Sequence, residues 1–400
     1  MKKYILSFMM LVVSASFLTS CLGDNGNSNS NQPTKVTVTS GLYVVNCGIW
    51  GGNNGSLTLY DYNTLKAQQL FSGIGELGDT PNDAYTKGDT IFIVVNTDNM
   101  IVVFNRKTMK VDRISTTKEM GETEGLGPRC ITGFGDNIYF TTYGNYVARM
   151  DAKTLTVTDM KQVGNAPEGL SLGGTYSAPL LYVCNSNYGM GGGSISKIPL
   201  ASDGSLGKVE TITHEKIRNP QEVVAEGDGF YFLDWGYYNE DYTKQFEAGL
   251  FYYNNGNVTQ IIENATGLGV GYVYDSYGNA VGYNLVTFNA PYGSDEKPTY
   301  TQYNTATGSK KSITLKDDTG HEIFSPVAIG VDPLKGLLVI ASRTKSPDTE
   351  KADIKLPGYA NVYQFESEGV YKYVEGSNFV TGIDPHVIEF TLDTQTIVYQ

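Results

Sequence analysis

One phrase recurs along this chain: a proline, a short apolar run, a tight turn and a second apolar run. It reads TPNDAYTKGDTIFIVVN at 80–96, GPRCITGFGDNIYFTTY at 127–143 and APEGLSLGGTYSAPLLYVCN at 166–185. It returns as NPQEVVAEGDGFYFLDW at 219–235 and SPVAIGVDPLKGLLVIAS at 325–342, and without its proline as GLGVGYVYDSYGNAVGYNLVTF at 267–288. Two more strand-like runs follow each copy, joined by turn chemistry such as NRKT at 105–108 and DAKT at 151–154. Four strands per unit, at a period of roughly 40 to 60 residues, is the pattern of a β-propeller blade.

The first unit is incomplete. GLYVVN at 41–46 reads as the second strand of a blade, with no proline-led run before it. TGIDPHVIEF at 381–390 can supply the missing first strand. The expected fold is therefore all-β: a seven-bladed β-propeller, second strands beginning near 42, 90, 137, 180, 229, 283 and 337, with the C-terminal strand closing the first blade. Closure removes the unpaired edges that open sheets expose.

The N-terminus carries a processing signal. Lys2 and Lys3 precede an apolar stretch, Ile5 to Leu18, and then Leu-Thr-Ser-Cys ending at Cys21. A positive start, a short apolar core and small residues before a cysteine form a lipoprotein signal. Residues 1–20 are expected to be removed and Cys21 acylated. Residues 21–40, rich in Asn, Ser and Gly, are expected to be a tether, and 41–400 the propeller.

Net charge is −13, with no basic stripe, which argues against nucleic acid and against adsorption to anionic lipid. Tyrosine is abundant, at 29 residues, and suits a recognition surface. Cys47, Cys130 and Cys184 fit no zinc spacing and read as small buried hydrophobes.

In a propeller, connections D–A and B–C (strands lettered outward from the axis) share one face. The B–C connections are the long ones here: NCGIWGGNNGS at 46–56, CNSNYGMGGGS at 184–194, DWGYYNEDYTKQFE at 234–247, NAPYGSDEKPT at 289–299, and 342–359 with Arg343 at its start. The connections on the other face read as short. The long loops are expected to present Trp50, Tyr143, Tyr188, Trp235, Tyr237, Tyr238 and Tyr292 together. Each aromatic taken alone could instead brace neighbouring blades. Within that rim, the residue after each A-strand proline forms a ring: Asn82, Arg129, Glu168, Gln221, Val327 and His386, followed in two blades by Asp83 and Glu222. Polar groups converging inside an aromatic rim have the anatomy of a ligand site.

His214, His321 and His386 share the face but have no metal-binding spacing, and neither a metal nor an organic cofactor is expected. No serine-hydrolase, P-loop or cysteine-nucleophile motif is present. Glu168 and Glu222 could form an acid/base pair with His386 nearby, as in a propeller lyase or hydrolase, but nothing requires it, and no enzyme activity is expected.

GLYVVNCGIWGGNNGSLTLYD, PNDAYTKGDTIFIVVN and TGIDPHVIEF resemble the YncE-like, DUF5074-type propeller lipoproteins of Bacteroidetes. The resemblance runs from about 41 to 390, with Cys47 where that family commonly has glutamate. It implies a lipid-anchored protein at the outer membrane or cell surface. By similarity to the BtuG type, it also implies capture of a corrinoid and its transfer to a TonB-dependent transporter. A protein-interaction scaffold is the alternative use of the same face.

Overall fold

The computed structural model describes residues 34–397 except 295 and 350. The expected signal peptide, Cys21 and the tether up to 33 lie outside the described residues.

Seven blades are present, each built on four antiparallel strands, and in blade 7 Thr314–Lys316 adds a short parallel strand at the outer edge. The first blade takes its innermost strand from the far end of the chain: Pro385–Ile397 pairs with Thr34–Asn46. The second strands of the other six blades start at Thr90, Asn137, Ala178, Gly229, Ala280 and Leu338, close to the expected positions. Alternation of apolar residues along these strands places one apolar layer between each pair of neighbouring blades. Leu42 and Val44 of blade 1 meet Val339 and Ala341 of blade 7, and this layer seals the ring.

Four readings need correction. Residues 34–40, expected in the tether, are the first part of blade 1's second strand. Val36, Thr37, Val38 and Thr39 are β-branched, and they pair with Leu392–Gln395. The closing strand begins at Pro385; Phe379–Ile383 instead adds to the third strand of blade 7. The stretch 234–247 is not all loop, since Tyr237–Tyr238 and Gln245–Phe246 form a small hairpin. On the opposite face, 200–209 is a long C–D connection whose Leu200 and Leu206 pack beside Tyr139 of blade 3.

A repeated defect shapes the mouth of the axial channel. In five blades the pairing of the innermost strand with the second breaks just after the strand's proline. The breaks lie between Pro81 and Asp83, Pro128 and Ile131, Pro167 and Leu170, Pro220 and Glu222, and Pro326 and Ala328. In blade 1, Pro385 pairs with Asn46 and Val387 with Val45, so His386 is skipped. A bulge of this kind re-aims a side chain. Blade 6 has no proline and pairs through Gly267 and Leu268 without a break. Above five of these six bulges, the first residue of the B–C loop donates its N–H to the carbonyl just before the proline. Cys47 bonds Asp384, Asn96 bonds Thr80, Tyr143 bonds Gly127, Ser186 bonds Ala166 and Trp235 bonds Asn219, at 2.8–3.0 Å.

The last residue of the second strand supports the loop base in three blades. Asn46 donates to Ser56 and Thr58, Asn185 to Ser194 and Ser196, and Asn289 to Thr299 and Thr301. Each pair of hydroxyls is two residues apart because one face of a strand repeats every second residue.

A chain ended at Asp384 should leave the Thr34–Asn46 edge unpaired and associate through it. The expected result by size-exclusion chromatography is oligomer and aggregate. A synthetic peptide spanning 385–397 should restore monomer by adding back as a strand.

Candidate functional site

The bulges turn their residues toward the channel mouth, and in blades 2, 3 and 4 these form one cluster. Arg129 donates Nε to Glu168 Oε2 at 2.8 Å and Nη1 to Asn82 Oδ1 at 2.6 Å. Asn82 returns its Nδ2 to the Arg129 carbonyl. The Tyr143 hydroxyl donates to Glu168 Oε1 at 2.7 Å, and the Arg129 guanidinium lies 4.8 Å from the Tyr143 ring centre. Tyr188 packs on Tyr143 with ring centres 5.2 Å apart. Asn82 and Glu168 are buried. Burial opposes the Arg129 charge, but Glu168, Tyr143 and Cys130 more than offset it and raise its pKa. Burial, with the Glu168 carboxylate next, pushes the Tyr143 hydroxyl up. The Glu168 side chain also accepts from Ser186, so it is fully engaged as a positioning group.

A second sector joins blades 7 and 1. Arg343 donates Nε to Asp384 Oδ1 at 2.7 Å. His386 stands beside this pair with its Nδ1 buried and without a hydrogen-bond partner. Burial lowers the His386 pKa; Asp384 opposes the shift, and Arg129 and Arg343 add to it. Cys47 is pushed up to about 12, first by burial and then by Asp384. Such a thiol is neutral and unreactive, in keeping with the reading of the cysteines as small hydrophobes. All three described cysteines are unpaired.

Aromatic and thioether groups rise around these sectors. Trp50 is 82% exposed. Its loop is held from below, with Gly51 N–H on Asp79 and Ile49 N–H on Asn54. Gly48 sits at φ 77°, where a Cβ would come within 2.5 Å of Asn54 Oδ1, so this loop needs glycine there. Ile74, Met190 and Tyr242 are exposed on the same face, and the Tyr242 hydroxyl reaches the Met190 sulfur at 3.9 Å. Tyr292 (61% exposed) lies against Tyr238, and Tyr237 stacks on Phe246. Gln245 ties these loops together by exchanging hydrogen bonds with Tyr292 and donating to the Trp235 carbonyl.

Trp235 behaves differently. Its indole N–H donates to the Thr266 carbonyl at 3.0 Å, and its ring packs on the layer between blades 5 and 6. It is a brace that also edges the channel. Gln221 bonds its neighbour Asn219, and Val327 lines the channel without a polar contact. His214 and His321 lie apart from His386: His214 caps Lys216 N–H, and His321 stacks on Tyr373. Among the described residues, no group of three His, Cys, Asp or Glu side chains is placed to hold a metal ion.

Below the mouth the channel opens into a cavity of about 690 Å³. Gly169 belongs to its wall, where a Cβ would meet the Gln221 carbonyl at 2.4 Å, so the inner strands of blades 4 and 5 approach closely. Three carboxyls face the cavity. Burial pushes Glu222 up to about 8, with the Asp83 carboxylate adding to it. Burial pushes Asp83 and Glu389 up to about 7, against the N–H groups of Ile131 and Ala84 in one case and of Thr86 in the other. Glu389, Asp384, Met190 and Tyr242 did not stand out in the sequence. Glu389 is four residues past the closing proline, a position with no acidic counterpart at Tyr85, Thr132 or Val224 to mark it.

The comparisons with known proteins agree with the fold. Residues 40–176, about a third of the chain, match the family model described as "Domain of unknown function (DUF5074)". This supports a propeller of the DUF5074 type. No curated protein sequence matches the chain. Among solved structures, a proposed 6-phosphogluconolactonase of Bacteroides uniformis is similar at 15% identity, with a TM-score of 0.55, over 88% of this chain and 100% of that one. The hydrazine synthase of Kuenenia stuttgartiensis gives 14% identity and a TM-score of 0.52, covering 80% and 95%. A functionally unknown protein of Desulfotomaculum acetoxidans gives 12% and 0.54, covering 88% and 99%. At these identities the likeness is one of fold alone.

The raised carboxyls set a pH dependence. An acid whose pKa is higher folded than unfolded contributes stability that is whole below its ordinary pKa, near 4, and is lost as pH rises through the folded value. Thermal unfolding should therefore shift to lower temperature between pH 5 and 8.5. Glu222 accepts no hydrogen bond among the described residues, so Glu222→Gln should remove part of that slope and raise the melting temperature above pH 8. An unchanged slope in this variant would show that Glu222 keeps an ordinary pKa.

Proposed function

We propose that this chain is a lipid-anchored protein of the cell envelope that captures a bulky, amphipathic small molecule on its long-loop face. The observation that carries the reading is the convergence at one channel mouth. Bulge residues from several blades supply hydrogen-bonding groups, and Trp50, Ile74, Tyr188, Met190, Tyr242 and Tyr292 supply exposed apolar contact around them. A rigid polar floor with an apolar rim suits a ligand that is broad, flat in part and edged with amides. A corrinoid has that chemistry, and the resemblance to the BtuG type points to the same class. In this reading the protein stands at the outer membrane or cell surface, held by acylated Cys21, and passes its ligand to a TonB-dependent transporter.

The engagement of Glu168 by Arg129, Tyr143 and Ser186 weighs against a lyase or hydrolase using it as a free base. A scaffold that grips another envelope protein is favoured by one feature: the exposed apolar residues spread around the whole face, from Trp50 in blade 1 to Ile354 in blade 7.

Titration of the chain with cyanocobalamin, followed by tryptophan emission and corrin absorbance, tests the proposal. Saturable quenching is expected, with Trp50→Ala weakening affinity at least about tenfold, the effect of roughly 1.4 kcal/mol. Trp235→Ala is expected to lower the melting temperature, because it removes a brace. No binding at micromolar protein would overturn the corrinoid assignment. Co-purification of one envelope protein, lost in Trp50→Ala, would then favour the scaffold.

A further inference from the structure

The opposite face of the propeller has apolar features of its own. The described chain begins there. Thr34–Thr39 pairs with Leu392–Ile397 beyond the body of blade 1. Two contacts fix this extension to the lower face. Thr39 donates to Asp332 in the A–B turn of blade 7 at 2.8 Å, and Arg106 at the C–D turn of blade 2 pairs with Asp393. The strand then runs upward to Asn46 and the Trp50 loop. The path from Cys21 to Thr34 is thirteen residues, which reaches at most about 45 Å. An acyl chain on Cys21 would therefore join the propeller at its lower face and keep that face within about 45 Å of the bilayer.

Tyrosines cluster on that face. Tyr176, at the tip of the A–B turn of blade 4, is 92% exposed, and Tyr277, at the tip of the A–B turn of blade 6, is 83% exposed. Tyr272 and Val281, from the same blade 6 hairpin, are also exposed. Tyr176, Tyr272 and Val281 line one groove of about 480 Å³ with Leu172 and Ala225 as its apolar wall. Leu334 and Leu392 add exposed apolar groups toward the axis. Tyrosine is enriched where a protein meets the boundary between lipid headgroups and acyl chains, because its ring is apolar and its hydroxyl stays wet.

We propose that the lower face, led by Tyr176, Tyr272 and Tyr277, rests on the lipid surface and holds the propeller with its channel mouth pointing away from the membrane. This rests on the lipid-anchor reading above. The anchor supplies a high local concentration of bilayer, so each tyrosine contact can be weak and still be populated. Asp228 sits in the A–B turn of blade 5 and Asp275 in the turn of Tyr277 itself. The contact is therefore apolar and interfacial, and needs neither anionic lipid nor low salt.

The test uses the full lipidated chain carrying Tyr277→Trp, in vesicles of phosphatidylcholine with brominated acyl chains. The native tryptophans, Trp50 and Trp235, lie on the upper side and report that face. The emission added at position 277 is expected to fall by at least half, equally in 0.1 and 0.5 M salt, with the wild-type emission unchanged. Protein that floats with vesicles but shows no quenching at 277 overturns the contact and leaves the anchor intact. Quenching of the wild-type emission instead overturns the orientation. If the chain fails to float, or Cys21→Ala floats equally well, the anchor reading fails and this proposal falls with it. Emission at 277 that is blue-shifted but unquenched, and returns to its exposed value on dilution of protein at constant lipid, overturns the lipid contact and assigns the tyrosines to a second copy.

Discussion

The upper face depends on one repeated arrangement: a proline, one or two skipped residues, and a hydrogen bond from the first loop N–H of the same blade back to the carbonyl before that proline. The proline has no N–H to offer the ladder, so pairing can lapse there without leaving a donor unsatisfied. The lapse rotates the next side chain into the mouth, and the hydrogen bond fixes where the long loop leaves the sheet. Three of the residues before a proline, Thr80, Ala166 and Asp384, adopt a left-handed backbone, at φ 51–56°. Such a conformation costs about 1–2 kcal/mol at a non-glycine residue. The neighbouring β-sheet overdetermines it, and it recurs where side chains must converge.

The ring closure, the seven blades and the ring of residues after the prolines could be read from the sequence because each follows from local periodicity and from proline's missing donor. Partnerships across blades could not. Arg129, Glu168 and Asn82 are 39 and 47 residues apart, and only the curvature of the ring brings them within hydrogen-bond reach. Trp50 and Trp235 look alike in sequence, each in a loop after a second strand. One is exposed and the other is a brace, and the difference is Thr266, whose carbonyl happens to face the second indole. The strand at 34–40 was masked by its polar Lys and Thr content, although its alternation with Val36 and Val38 was visible. Its partner lies more than 350 residues away, beyond the reach of local reasoning.

The channel has two chemical layers. At the mouth, guanidinium and carboxylate groups are matched in the Arg129–Glu168 and Arg343–Asp384 pairs, so their geometry is fixed and their charges cancel. Deeper, burial outweighs the pull of Arg129 on Asp83, and Glu222 and Glu389 have no cation acting on them, so burial favours the neutral forms of all three. An anion at the mouth would meet ordered N–H groups, whereas a cation drawn deeper would compete with protons for the same carboxyls.

The pairing of Thr34–Asn46 with Pro385–Ile397 also orders events in time. The strand Thr34–Asn46 finds its outer partner, Ser56–Asp61, at once, but its inner partner only at the end. Until the final residues are available, the inner edge of blade 1 stays unpaired, and its flanking layers lack Val387 on one side and Ile388 and Phe390 on the other. Contacts of such sequence separation make folding slow, because the loop must be closed before it is rewarded. A chain of this design has to be kept apart from its copies until its end arrives, and it gains in return a body with no sheet end left to unzip.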